Sequence, residues 1–116
     1  MKTVFKKLTI VLTTFVLLTQ PVFGQVSFGS RDCGHWVKRT DSATAKVVTE
    51  AWLTGYLSGL NWMHSVNDPK GKIPDPLNKV NSAEQMFLWM DNYCRKNPLN
   101  SASTGAQDLF IELMKK

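Results

Sequence analysis

Apolar positions along the chain fall into four runs. Residues 8–19 (LTIVLTTFVLLT) are apolar apart from threonines and carry no charge. In residues 42–63, Ala45, Val48, Trp52, Tyr56, Gly59 and Met63 recur at spacings of three and four, with Leu53, Leu57 and Leu60 widening the stripe. That period predicts a long helix, with Asp41 or Ser42 accepting an otherwise orphaned amide at its start. Residues 85–98 (QMFLWMDNYCRKNP) place Met86, Met90, Tyr93 and Cys94 on one face, flanked by Phe87 and Trp89, with Asp91, Asn92, Arg95 and Lys96 on the wet side. Asn81 or Ser82 opens this helix, with Glu84 in capping-box position to Asn81, and Asn97-Pro98 stops it. A last stripe, Ala106, Leu109, Phe110 and Leu113, predicts a final helix capped by Ser101 or Ser103 and finished by Lys115 and Lys116. No strand-like alternation of any length occurs, so the expected class is all-α, a small bundle of three to four helices.

Between these runs lie punctuation and short segments. Residues 64–79 (HSVNDPKGKIPDPLNK) contain three prolines and a DPKG turn, which predict a surface loop. A connection this long is commonly functional or disordered, making it the first place to look for a partner site. Residues 33–40 (CGHWVKRT) suit a short helix or an extended segment, with Trp36 and Val37 packed inward and Lys38 and Arg39 wet. Gly55 and Gly59 sit four apart with Ser58 beside them, removing bulk where another helix can approach. Each glycine costs about 0.5–1 kcal/mol relative to alanine; close packing against Trp89, Met90 and Tyr93 is the expected compensation, a ligand groove or dimer seam the alternative.

The first residues, MKTVFKK, followed by the uncharged apolar run, read as a secretory leader. The run falls short of the ~20 residues of a membrane span. Cleavage is expected after Gly24, giving a signal peptide at 1–24, a flexible lead-in at 25–32 and one helical domain at 33–116. The mature chain is then periplasmic and not held in a membrane. Its charge changes too: of fourteen basic residues, Lys2, Lys6 and Lys7 leave with the leader, so eleven face nine acidic ones, far from a nucleic-acid footprint. In an oxidising compartment the two cysteines, Cys33 and Cys94, most simply form one disulfide. Two buried thiols are an alternative, as is a metal site with His35, although that spacing matches no familiar ligand pattern.

Chemistry is sparse. Nucleophilic catalysis needs a base within reach, and the histidines are His35 and His64 alone. No phosphate loop or paired-histidine motif occurs. The expectation is a non-enzyme with no catalytic residue, cofactor or metal. What remains is apolar surface: Trp36, Trp52, Tyr56, Trp62 and Trp89 are the candidate binding residues, most of them expected in the core and some at an interface.

With Cys33 early, WLTGYLSG in the long helix and then WMDNYCRKNP, the chain resembles the HdeA/HdeB family of periplasmic acid-stress chaperones over residues 33–113. The most specific part is YCRKNP, a second disulfide cysteine before a basic pair and Asn-Pro. The resemblance implies protein partners: a folded homodimer at neutral pH that loosens in acid and coats unfolding clients. A second resemblance, to Rap1a/Tai-type immunity proteins of type VI secretion systems, implies instead a specific inhibitor of a toxic cell-wall amidase, with the loop at 64–79 as its contact surface.

Overall fold

The structure, a computed structural model, describes residues 28–115; the expected signal peptide and the start of the lead-in lie outside the described residues. Four helices follow in order, with no strand among the described residues: α1 (Cys33–Val37), α2 (Ala43–Asn67), α3 (Ala83–Lys96) and α4 (Ala102–Lys115). Short 3-10 turns at Lys38–Asp41 and Pro76–Lys79 serve the connections. Cys33 at the start of α1 is bonded to Cys94 in the last turn of α3, closing a ring across a sequence separation of 61.

The helix starts are set by short polar side chains. Asp32 Oδ1 accepts the His35 amide of α1 at 2.7 Å, and Ser42 Oγ accepts that of Ala45 at 3.0 Å, which identifies Ser42 rather than Asp41 as the cap of α2. Ser101, not Ser103, caps α4, taking the Thr104 amide at 3.1 Å. The capping box expected of Glu84 is not formed: Gln85 Oε1 reaches back to the Asn81 amide at 2.9 Å, while Glu84 turns to its own amide and Ser82. Those two hydrogen bonds, with the charge of Lys46 adding a little, hold the exposed Glu84 carboxyl below its usual range. At the other end of α4, Lys79 Nζ donates to the Leu113 carbonyl at 2.6 Å, a cation on the negative end of the helix dipole.

The core gathers where α1, α2, α3 and α4 meet. Trp36, Leu53, Leu57, Met90 and Ala106 are fully buried, with Leu109, Phe110 and Leu113 completing the α4 side. One glycine permits the α3–α4 contact: a Cβ on Gly105 would meet Tyr93 Cδ1 at 2.7 Å and Met90 Cε at 2.9 Å. The close approach expected at Gly55 and Gly59 therefore occurs elsewhere. Both of those glycines are exposed, with nothing within 4 Å of where a side chain would begin. The partners foreseen for them, Met90 and Tyr93, pack on Gly105 instead.

Residues 28–32, the described part of the lead-in, are tied down rather than loose. Cys33 N donates to Asn100 O at 2.9 Å, Ala102 N to Arg31 O at 2.8 Å, and Trp52 Nε1 to Phe28 O at 3.0 Å. Position 29 adopts a φ of +75° over the Trp52 ring, where glycine avoids a backbone strain that a side chain would incur.

Candidate functional site

Helix α2 carries the largest departure from its own pattern. Leu53 and Leu57 are buried as expected, but Val48, Gly59 and Met63, read in the same stripe, are exposed. At about 100° per residue, Val48, Gly55, Gly59 and Val66 share an arc of about 40°, diametrically opposite Leu57. The helix is apolar on both sides, so its period alone does not say which side enters the core. Val47, Val48, Trp62, Met63 and Val66 retain half or more of their accessible surface.

The polar residues of this helix do little to wet that face. No Asp, Glu, Lys or Arg occurs between residues 51 and 67. Thr54 Oγ1 donates to the Ala51 carbonyl at 2.9 Å, Ser58 Oγ to Thr54 O at 2.7 Å, Ser65 Oγ to Trp62 O at 2.8 Å, and Asn67 Nδ2 to Met63 O at 2.9 Å. These donors are satisfied by their own helix. The result is an uncharged strip with two glycines in the middle and larger apolar groups toward both ends.

Of the five aromatic residues expected to offer binding surface, Trp62 does so. Trp36 is fully buried. Trp52 stacks on Tyr56 with centroids 5.1 Å apart, and the Tyr56 hydroxyl accepts Gln107 Nε2 at 2.7 Å. Trp89 stacks on Tyr93 at 5.4 Å and donates to Glu112 Oε2 at 3.1 Å. Each finds a ring and a hydrogen-bond partner within the bundle, as amphipathic aromatic groups do when half-buried.

Beneath these rings is a charged node that the sequence pattern placed in solvent. Arg39, expected wet, is 6% exposed. Its guanidinium grips Asp91 through both nitrogens, at 2.6 and 3.3 Å, and its Nε donates to Glu50 at 3.1 Å. It also lies 4.3 Å from the Trp36 ring centroid. Trp36 Nε1 donates to the same Asp91 carboxylate at 2.8 Å. One arginine thereby joins the turn after α1 to α2 and α3. The 3-10 turn of residues 38–41 directs this side chain inward and leaves Val37, expected inside, half exposed.

The loop expected over 64–79 begins later, because α2 runs on to Asn67. Asp68 Oδ2 accepts the Ile73 amide at 2.6 Å, Asp75 Oδ1 accepts that of Leu77 at 2.9 Å, and Pro76 is buried. A concavity of about 290 Å³ opens between this loop and α2, lined by Asn61, His64, Asp68 and Ile73 among others. His64 sets its ring edge-on to Phe110, 6.1 Å between centroids.

Among the described residues no group of His, Cys, Asp and Glu is placed to hold a metal ion, and no helix is long and apolar enough to cross a membrane. No protein-family model, curated protein or solved structure matches the chain. The residues that sequence reasoning missed, Arg39 with Asp91 and Gly105, are single polar or small positions. Nothing local distinguishes them from solvated charges and turn glycines.

Proposed function

We propose that the protein is an exported, non-enzymatic binding protein of the periplasm, a chaperone of the HdeA-like kind that engages other proteins through exposed apolar surface. The observation that carries this reading is the uncharged outer face of α2, where Val47, Val48, Trp62, Met63 and Val66 stand in solvent. Exposed apolar side chains gathered on one helix face are a mark of protein interaction sites. Acid supplies a means of enlarging that surface. With all nine carboxylates of the mature chain protonated, eleven Lys and Arg and two His remain as uncompensated positive charge, and such self-repulsion loosens a compact state. The Cys33–Cys94 bond holds α1 to α3 while the rest opens.

The test is a titration of purified, disulfide-bonded protein from neutral pH to roughly pH 2–3, following dye binding to exposed apolar surface and aggregation of an acid-denatured client. The expected result is a gain in dye binding together with client protection. The absence of both the gain and the protection would end this reading.

A second reading, a Tai-like inhibitor of a cell-wall amidase effector, draws support from the fixed conformation of the loop after α2, since a stoichiometric plug needs a pre-organised surface. Nanomolar binding at neutral pH to an effector encoded beside this gene is its expected signature; absence of binding to such a neighbour rejects it.

A further inference from the structure

The inward side of α2 changes character along its length. Leu53 and Leu57 are buried in the core. At about 100° per residue, Asn61 and His64 lie within about 40° of Leu57, so they continue the same side of the helix as half-buried polar residues. Apolar side chains there would simply lengthen the core. Instead, Asn61 Oδ1 and His64 Nε2 are enclosed without a hydrogen-bond partner, and among the described residues they are the side-chain polar atoms left so. Buried polar groups are ordinarily paired, so two such atoms one turn apart on one helix face call for an occupant that pairs them.

Both residues line the concavity of about 290 Å³ between α2 and the loop that follows it, together with Asp68, Ile73, Pro74 and Asp75. The polar groups of this lining mostly accept. Asp68 Oδ2 and Asp75 Oδ1 take the Ile73 and Leu77 amides, which leaves the second oxygen of each carboxylate. Ser65, also in the lining, directs its hydroxyl proton to the Trp62 carbonyl. No Lys or Arg lines the space; Lys70 and Lys72 of the same loop stand in solvent, where their charge is screened. An ammonium group, with three donors, no acceptor and a positive charge, is the complement of such a lining. Among the described residues no group of His, Cys, Asp and Glu is placed to hold a metal ion, so the fitting cation is organic. Ile73 and Pro74 offer an apolar wall to a short alkyl body, and the volume is at the small end of the ~300–1,000 Å³ of ligand pockets.

We propose that this concavity is a binding site for a small aliphatic primary amine. Asp68 supplies the counter-charge, and Ile73 and Pro74 carry the alkyl body. Asn61 Oδ1 and His64 Nε2 accept protons of the ammonium, His64 in the tautomer that keeps its own proton on Nδ1. A small rotation of these two half-buried side chains turns their enclosed atoms toward the ligand. Asp75, exposed at the edge of the loop, adds negative potential. The site lies on the opposite side of α2 from the strip that carries the chaperone reading and does not depend on it.

The experiment is an amide NMR titration of the disulfide-bonded protein at neutral pH with pentylamine, and with 1-pentanol as its uncharged counterpart. Pentylamine is expected to shift the amides of residues 61–75 saturably, with a dissociation constant of about 1 mM or tighter. Pentanol should bind about tenfold more weakly or worse, because the charge-assisted hydrogen bonds are lost. Asp68→Asn keeps an oxygen for the Ile73 amide and removes only the charge; it should weaken the amine about fivefold or more with little change in melting temperature. Asn61→Leu replaces an unpaired oxygen by an apolar group on the core side, so it should hold or raise the melting temperature while also weakening the amine. No saturable shift up to about 20 mM amine, far above the expected constant, overturns the proposal and leaves a water-filled space only. Equal affinity for amine and alcohol overturns it as well, as does an amine affinity that neither Asp68→Asn nor Asn61→Leu changes.

Discussion

Gly105 and Tyr93 are in contact so close that a methyl group on the glycine would sit 2.7 Å from the tyrosine ring. The ring cannot readily withdraw: it stacks on Trp89, and its hydroxyl accepts Asn100 Nδ2 at 2.8 Å. Gly105→Ala is therefore expected to cost about 1–3 kcal/mol by overpacking. Gly55→Ala and Gly59→Ala, on an open helix surface, are each expected to stabilise the monomer by up to about 1 kcal/mol. Chemical denaturation at low protein concentration measures all three; a destabilising Gly55→Ala would contradict the open face of α2.

Arg39 and Asp91 hold three segments together from a largely buried position. Arg39→Met leaves both Asp91 and Glu50 without their cation, while Asp91→Asn leaves Arg39 with Glu50 as its remaining counter-charge. Each is therefore expected to lose about 2–4 kcal/mol, Asp91→Asn toward the lower end, somewhat below a fully buried pair. Asp91 keeps 23% of its side-chain exposure, which is the reason for the discount. The double variant should recover part of the loss; strict additivity in a double-mutant cycle would show that the two do not interact.

The Cys33–Cys94 bond closes a long ring, and loop-closure entropy for that length is worth about 4 kcal/mol. That is comparable with the whole stability of a small domain. Cys94→Ser should lower the melting temperature strongly under oxidising conditions. An unchanged melting curve would make the bond irrelevant to stability.

Burial raises the Tyr93 phenol above its usual 10.0, with Asp108 adding to the effect against the opposing hydrogen bond from Asn100. A group with a raised folded value lends stability that is full below its unfolded value, and this is lost as pH climbs through the folded one. The loss accordingly begins near pH 10.0 and continues above it. Tyr93→Phe should give up about 1 kcal/mol at neutral pH, the Asn100 bond, yet depend less on pH in alkali. The difference between the tyrosinate absorbance titrations of the parent and the variant isolates this phenol; a transition at or below the ordinary value would refute the assignment.

The sequence by itself determined the helical class, most helix limits within a few residues, and the cysteine pair. Local signals carry these features: three-four spacing, Asp41 or Ser42 and Ser101 or Ser103 as candidate caps, of which the fold uses Ser42 and Ser101, and Asn97-Pro98 as a stop. The signal peptide is an expectation of the same kind and lies outside the described residues. Tertiary structure decided which side of α2 is inside. Leucines lie opposite a strip of valines, glycines and Met63, so both sides satisfy the period, and the choice falls to whichever fits the cavity left by α1 and α4. The same holds for the charges. Arg39 and Asp91 are ordinary wet residues until the disulfide and the turn after α1 bring them together, and Gly105 is an ordinary small residue until Tyr93 lies across it. A residue's neighbours along the chain set its helix, but the direction that helix faces depends on volumes contributed by segments far away in sequence.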